Sequence, residues 1–191
     1  MNGESKMSSK KCLLVIDVQQ GMFNLSRPLY RSAYILVGIK KLIQKAKINN
    51  VPVIFIQHCG KEKSLFEKGT PGWQIHPAIA PNESKIIIEK KYSDAFQDTN
   101  LNSTLKELSV ETLIICGLVT EGCVDTTVRR AFSLGYKVVV VSDCHSTTDS
   151  EVLNAKQIVD HHNHIFKIFA QVKEFNEIIF TSKNIAVVPS V

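Results

Sequence analysis

Residues Leu113–Gly135 read LIICGLVTEGCVDTTVRRAFSLG. The first six, LIICGL, form an unbroken apolar run. Such a run suits a strand buried on both faces, as in a parallel sheet. The polar turn VTEG follows, and Cys123 then opens a helical pattern. Within it Val124, Thr127, Val128, Ala131 and Phe132 recur at i, i+3, i+4, i+7 and i+8, and Gly135 stands where a C-cap belongs. Strand, tight turn and amphipathic helix together make half of a βαβ unit.

The same alternation extends in both directions. Further short apolar runs are Cys12–Ile16 (CLLVI), Val51–Ile56 (VPVIFI), Lys85–Ile88 (KIII), Val138–Val141 (VVVV) and Ile165–Phe169 (IFKIF). Helical spacing appears over Ser32–Ile48, Asn100–Leu108, Cys123–Leu134 and Glu151–His162, with a last short helix expected over Glu174–Phe180. Strands alternating with helices of this length predict an α/β fold, a three-layer α/β/α sandwich on a parallel sheet. The segment Cys59–Asn82 breaks the rhythm. It is rich in Gly and Pro and carries the sole tryptophan, Trp73, and loops of such length in compact domains are usually functional.

The chain of 191 residues, 44% hydrophobic, suffices for one full core, and no linker, repeat or long charge run divides it. Residues 1–11 are polar and read as a disordered tail, and 12–191 as a single domain. No apolar run approaches the roughly 20 residues of a membrane span, so a soluble, cytoplasmic protein is expected. The formal charge of +5 does not argue for nucleic acid. Lys40, Lys41, Lys45 and Lys47 fit the solvated face of one helix, and no aromatic–basic stacking platform accompanies them. Of the five cysteines, Cys12 and Cys116 sit in strand-like runs as small hydrophobes, whereas Cys59 and Cys144 fall in predicted loops. The odd number and the lack of paired Cys spacing suit reduced thiols.

In a parallel sheet the residues just past each strand share one edge, and ligands of open α/β sheets bind there. After CLLVI comes Asp17; after KIII come Glu89, Lys90 and Lys91; after LIICGL come VTEG and Cys123; after VVVV come Ser142 and Asp143. Each residue alone has an ordinary reading: a loop hydrogen-bonder, an exposed amine, a packed thiol. Together they make a chemical set. A cysteine attacks as thiolate, and a free thiol with a pKa of about 8.5 supplies little of it at neutral pH. A helix N-terminus and a nearby ammonium favour the anion. A carboxylate can take the thiol proton and return it to a leaving amine. Glu121, two residues before the cysteine, opposes this unless it faces outward.

With these stretches in view, the chain resembles the isochorismatase-like cysteine hydrolases. LLVIDVQQGMF resembles the family's first strand with its Asp-x-Gln. IIIEKKYSDAFQDTNLNSTLKEL resembles its Lys-x-x-x-Ser-Ala-Phe segment, and counting back from Phe96 places the family lysine at Lys90. LIICGLVTEGCVDTTVRRAFSLGYKVVVVSDCHS resembles the nucleophile segment, and GTPGWQIHPAIAP the connecting loop. One departure is Asp94, after Ser93, where the family often has a small residue.

The resemblance implies a Rossmann-like fold with a six-stranded parallel sheet, a catalytic triad of Cys123, Asp17 and Lys90, and usually a homo-oligomer. It also implies an oxyanion hole from the backbone N–H groups of Val119 and Cys123, and a cis Leu118–Val119 peptide. The implied activity is hydrolysis of the C–N bond of a small amide, carbamoyl or ureido compound through an acyl-enzyme. Vinyl-ether hydrolysis, as in isochorismatase proper, and a non-catalytic binding member remain alternatives. Gln19, Phe23, Trp73 and Phe96 are candidate pocket residues. Nicotinamidase-like members carry a metal site after the second strand, but here IQHCG places His58 and Gly60 where an Asp-x-His pair is wanted. No metal and no cofactor are therefore expected, and the tract His161–His164 reads as a helix end enriched in histidine. The expected partner is a small-molecule substrate, with neither nucleic acid nor membrane.

Overall fold

The computed structural model describes residues 10–80 and 86–180. Six strands, β1 (Lys11–Ile16), β2 (Val53–His58), β3 (Ile86–Lys90), β4 (Thr112–Leu118), β5 (Lys137–Ser146) and β6 (Gln171–Lys173), form one sheet in the order β3-β2-β1-β4-β5-β6. Every pairing is parallel. The helices are α1 (Ser32–Ile48), α2 (Leu101–Glu107), α3 (Asp125–Ser133) and α4 (Ala155–Phe166).

The two-residue period of a strand divides β1 between two cores. Leu13 and Val15 pack with Ile35, Ile39 and Leu42 of α1 on one face. Cys12, Leu14 and Ile16 pack on the other with Leu101 and Leu105 of α2, Val128 of α3 and Phe166 of α4. Burial on both faces explains why these strands read as continuous apolar runs rather than as alternating ones. The architecture is thus the expected three-layer α/β/α sandwich. The strand order reverses between β1 and β4, so the crevice at their C-terminal ends is where a ligand site belongs.

Beyond shifts of one or two residues at the ends of β2 and β3, two strand expectations need correction. The sixth strand is not IFKIF. Ile165 and Phe166 end α4, whose 12 residues start at a capping box of Asn154 and Gln157, and β6 follows at Gln171–Lys173. The capped helix, started four residues later than expected, carries its apolar face through Phe166. The fifth strand is longer than VVVV. It runs to Ser146, and its register against β4 slips between Ile115 and Gly117, so that His145 and Ser146 lie opposite Gly117 and Leu118. Ser142 and Asp143 are therefore strand residues and not rim residues. Asp143 accepts hydrogen bonds from Tyr34 Oη at 3.1 Å and Phe175 N at 2.9 Å. Cys144 likewise lies in β5, fully buried, rather than in a loop.

Smaller differences lie at helix ends. The expected helix over Glu174–Phe180 is a single 3-10 turn at Phe175–Glu177. Gly135 caps α3 at φ +88° as expected. At Gly117, φ is +126° and an added Cβ would stand 2.1 Å from Ile16 O, so only glycine allows β4 to approach β1 this closely. Residues 1–9 of the expected tail lie outside the described residues, while Lys11 already belongs to β1. Among the described residues no helix is long and apolar enough to cross a membrane.

Candidate active site

β1 stops at Asp17, whose φ of +50° is a left-handed conformation that Asp tolerates better than most residues. That reversal, held by Asp17 N donating to Ile56 O and Gln19 N to Asp17 O, turns the carboxylate onto the rim at 5% exposure. Glu89 and Lys90 are the last two residues of β3 rather than the first past it, and the Lys90 side chain is wholly removed from solvent. Cys123 follows β4 through a cis Leu118–Val119 peptide and a π-helical turn, Thr120–Val124, which runs directly into α3.

The three side chains converge on one nitrogen. Lys90 Nζ is 2.6 Å from Asp17 Oδ2 and 3.1 Å from Cys123 Sγ, and it also donates to Tyr92 O at 3.0 Å. Burial works against the Lys90 charge, but Asp17 and Cys123 outweigh it and hold the ammonium above its usual range. Asp17 Oδ1 is buried, and among the described residues no hydrogen-bond partner meets it. A lone pair left unmade in so dry a place is costly, and it is where a carboxylate has room for a proton.

The Cys123 thiol is pushed up to about 11, first by burial and then by the negative Asp17, with Lys90 pulling the other way. The expectation that the helix end and the ammonium favour a resting thiolate is thus reversed. Desolvation of the sulfur and the adjacent carboxylate win, and both favour the thiol over the thiolate. Glu121 is exposed and accepts from Thr147 Oγ1 at 2.8 Å, away from the sulfur's partners.

The loop Cys59–Ala80 folds back over β1 and is stapled there. His76 N donates to Val18 O, Gln20 N to Gln74 O and Gly21 N to Gly72 O. Two buried amides complete the attachment, Gln19 Nε2 donating to Trp73 O at 2.7 Å and Gln57 Nε2 to the same oxygen at 2.8 Å. Gln19, expected to line the pocket, is wholly buried, and its amide also brackets the backbone of His58 at 2.9 Å on each side. Trp73 is half-buried and donates its indole N–H to Cys59 Sγ at 3.3 Å. Phe23 lies 4.6 Å from the His76 ring. Phe96 packs in the α2–α3 core, 6.1 Å from Tyr136. Asp94 accepts from Phe96 N at 2.8 Å and faces Arg130 at 3.7 Å.

Three features escape the sequence reading. His58 pairs with Lys90 in the parallel register, and its Nδ1 stands 3.5 Å from Lys90 Nζ. His145, fully buried, meets Thr120 Oγ1 at 2.9 Å through Nδ1 and Asn163 Oδ1 at 3.0 Å through Nε2. Gln57 shares the Trp73 carbonyl. Each depends on strand register or on a long-range contact, which residue types alone do not reveal. Among the described residues no group of three or more His, Cys, Asp or Glu side chains converges as a metal cage. Within the expected histidine tract, His162 turns Nδ1 onto Ile158 O at 2.8 Å.

Residues 11–176 match the Isochorismatase domain family. The chain belongs to the isochorismatase-like hydrolase family. It is 32% identical to a streptothricin hydrolase of Streptomyces noursei over 139 residues, 73% of this chain and 50% of that one. The chain thus spans about half the length of that relative. An isochorismatase family protein of Bacillus subtilis (strain 168) is 31% identical over 84% of this chain and 94% of its own. The crystal structure of an isochorismatase from Pseudomonas putida KT2440 superposes with a TM-score of 0.85 at 31% identity, covering 89% of this chain and 90% of that one.

Proposed function

We propose that the protein is a cysteine hydrolase that cleaves the C–N bond of a small amide, with Cys123 as nucleophile, Asp17 as proton carrier and Lys90 as the fixed cation between them. The observation that carries this reading is the single nitrogen of Lys90 within 2.6 Å of the carboxylate and 3.1 Å of the sulfur, each on a different strand end. A maleamate amidohydrolase of Pseudomonas putida, 26% identical over 153 residues, supports amide chemistry in a relative of comparable length.

The resting thiol sets the order of steps. As Sγ approaches the amide carbon, its proton passes to Asp17, whose Oδ1 lacks a partner, and the C–S bond forms. The carbonyl oxygen gathers negative charge, for which the N–H groups of Val119 and Cys123 serve as donors. Each such donor contributes roughly 3–4 kcal/mol at the transition state. Lys90, already bonded to both partners, keeps the carboxylate beside the sulfur through the transfer. The adduct collapses as Asp17 returns the proton to the leaving nitrogen, and the amine departs. Water then attacks the thioester, with Asp17 again taking and returning a proton, and the acid leaves with the thiol restored. No net charge is created in the buried site at any step, which suits so dry a place.

Ammonia release across a panel of small primary amides tests the reading. Turnover of at least one amide, with a thioester on Cys123 trapped by rapid acid quench and seen by mass spectrometry, is expected. Turnover without any adduct on Cys123 breaks it.

A further inference from the structure

Lys90 and Cys123 have a neighbour that the chemistry above does not use. The ammonium has three protons, and Asp17, Tyr92 O and Cys123 take them at 2.6, 3.0 and 3.1 Å. His58 Nδ1, at 3.5 Å, is a fourth group on the same nitrogen. A second cation there would face the ammonium directly, so the ring meets Lys90 with a lone pair and stays neutral. Its proton is then on Nε2. Burial and the Lys90 charge both hold the imidazole below its ordinary range, with Asp17 opposing.

Beyond the contact of Nδ1 with Lys90, no polar partner among the described residues explains the His58 side chain. Its backbone is held at both N–H and C=O by Gln19, and among the described residues no group bonds Nε2. The ring is half-exposed, edge-on to Phe66 of the loop at 6.2 Å. His58 Nδ1 and Cys123 Sγ are two contacts of one nitrogen, at 3.5 and 3.1 Å, so the ring stands close to the nucleophile.

We propose that His58 is a specificity-determining residue of this cleft, donating from Nε2 to an uncharged carbonyl-type oxygen that the substrate carries a few bonds from the scissile amide. The proposal rests on the amide-hydrolase reading of the site. An uncharged acceptor is the better match because the donor itself is uncharged, and two lysines of this region are already engaged. Lys90 is bonded as above, and Lys68 pairs with Glu89 at 2.6 Å. The substrate class is therefore a neutral diamide or ureido compound rather than an amide bearing a free carboxylate.

Nitrogen-15 NMR of the histidines, with malonamide and butanamide as probes, tests this. In the unmodified protein at neutral pH, His58 is expected as the neutral tautomer protonated on Nε2. In Cys123→Ala, which binds without reacting, malonamide is expected to shift the His58 Nε2 resonance and butanamide to leave it in place. In the intact enzyme, kcat/KM for malonamide should exceed that for butanamide roughly tenfold. His58→Leu should erase the ratio, and His58→Gln, which keeps an N–H donor, should retain most of it. A proton on Nδ1, equal or absent shifts with both probes, or a ratio that survives His58→Leu overturns the assignment. A malonamide shift without any ammonia release from the intact enzyme breaks the hydrolase reading and leaves His58 as a ligand-binding donor.

Discussion

The Lys90 cluster and the His145 chain are both buried, both polar, and both attached to the turn Thr120–Val124, yet they are built on opposite principles. The His145 chain is neutral and complete. Asn163 accepts from Nε2 and donates to Ser142 O at 3.0 Å, leaving Nδ1 to accept from the Thr120 hydroxyl, so every polar atom has a partner. Burial holds that imidazole down to about 4. The Lys90 cluster is charged and incomplete, with one carboxylate oxygen unpaired and a thiol whose proton it can take. A satisfied neutral network fixes geometry. An unsatisfied charged one stores a reaction. Under the proposed function the first holds the turn and the second carries the chemistry.

The largest effect that sharpens the contrast is at the sulfur. Cys123→Ala should lower kcat/KM by 10⁴-fold or more while the thermal midpoint stays within a few degrees, measured by ammonia release and differential scanning calorimetry. Substantial residual turnover breaks the assignment of chemistry to this cluster. Next is the ion pair. Lys90→Met leaves the Asp17 carboxylate buried and unpaired, and it should cost about 3–5 kcal/mol in urea unfolding besides abolishing turnover. A variant as stable as the parent shows that the charges were not holding one another.

The neutral chain should show itself through pH. An unfolded histidine takes a proton near 6.5, whereas His145 resists until about 4. As pH falls between those values, the unfolded state binds the extra proton. The stability His145 contributes is therefore present above about 6.5, is lost as pH falls towards 4, and levels off below. The full span is roughly 3 kcal/mol. Urea midpoints from pH 7 to 4 should follow this slope, with His58, also lowered, adding in the same direction. His145→Gln should flatten the slope, and an unchanged one shows that the protonation lies elsewhere. The smallest effect belongs to Lys91, exposed one residue beyond Lys90. Lys91→Ala should change stability by no more than about 0.5 kcal/mol and turnover by less than about twofold. A severe loss there, with Lys90→Met harmless, overturns the placement of the lysine.

Much of this was determined by the sequence alone, because burial on two faces leaves a legible mark. CLLVI, VPVIFI and LIICGL are continuous since a central parallel strand meets a helix layer on each side. The turn VTEG after LIICGL brought Cys123 to the rim, and the rim rule brought Asp17 and the group Glu89, Lys90 and Lys91, from which the family resemblance singled out Lys90. The same reading failed at IFKIF, where a capped helix overrode β-type residues, and at Ser142 and Asp143, where a register slip extends β5 past its apolar run. Tertiary structure alone decided what depends on distance between strands: that His58 shares a face with Lys90, that Gln19 and Gln57 both bind the Trp73 carbonyl, and that Thr120 reaches His145. It also decided the direction in which the thiol is shifted. Residue types name a cation and a helix end beside Cys123, but desolvation is a property of the packed whole, and here it outweighs them.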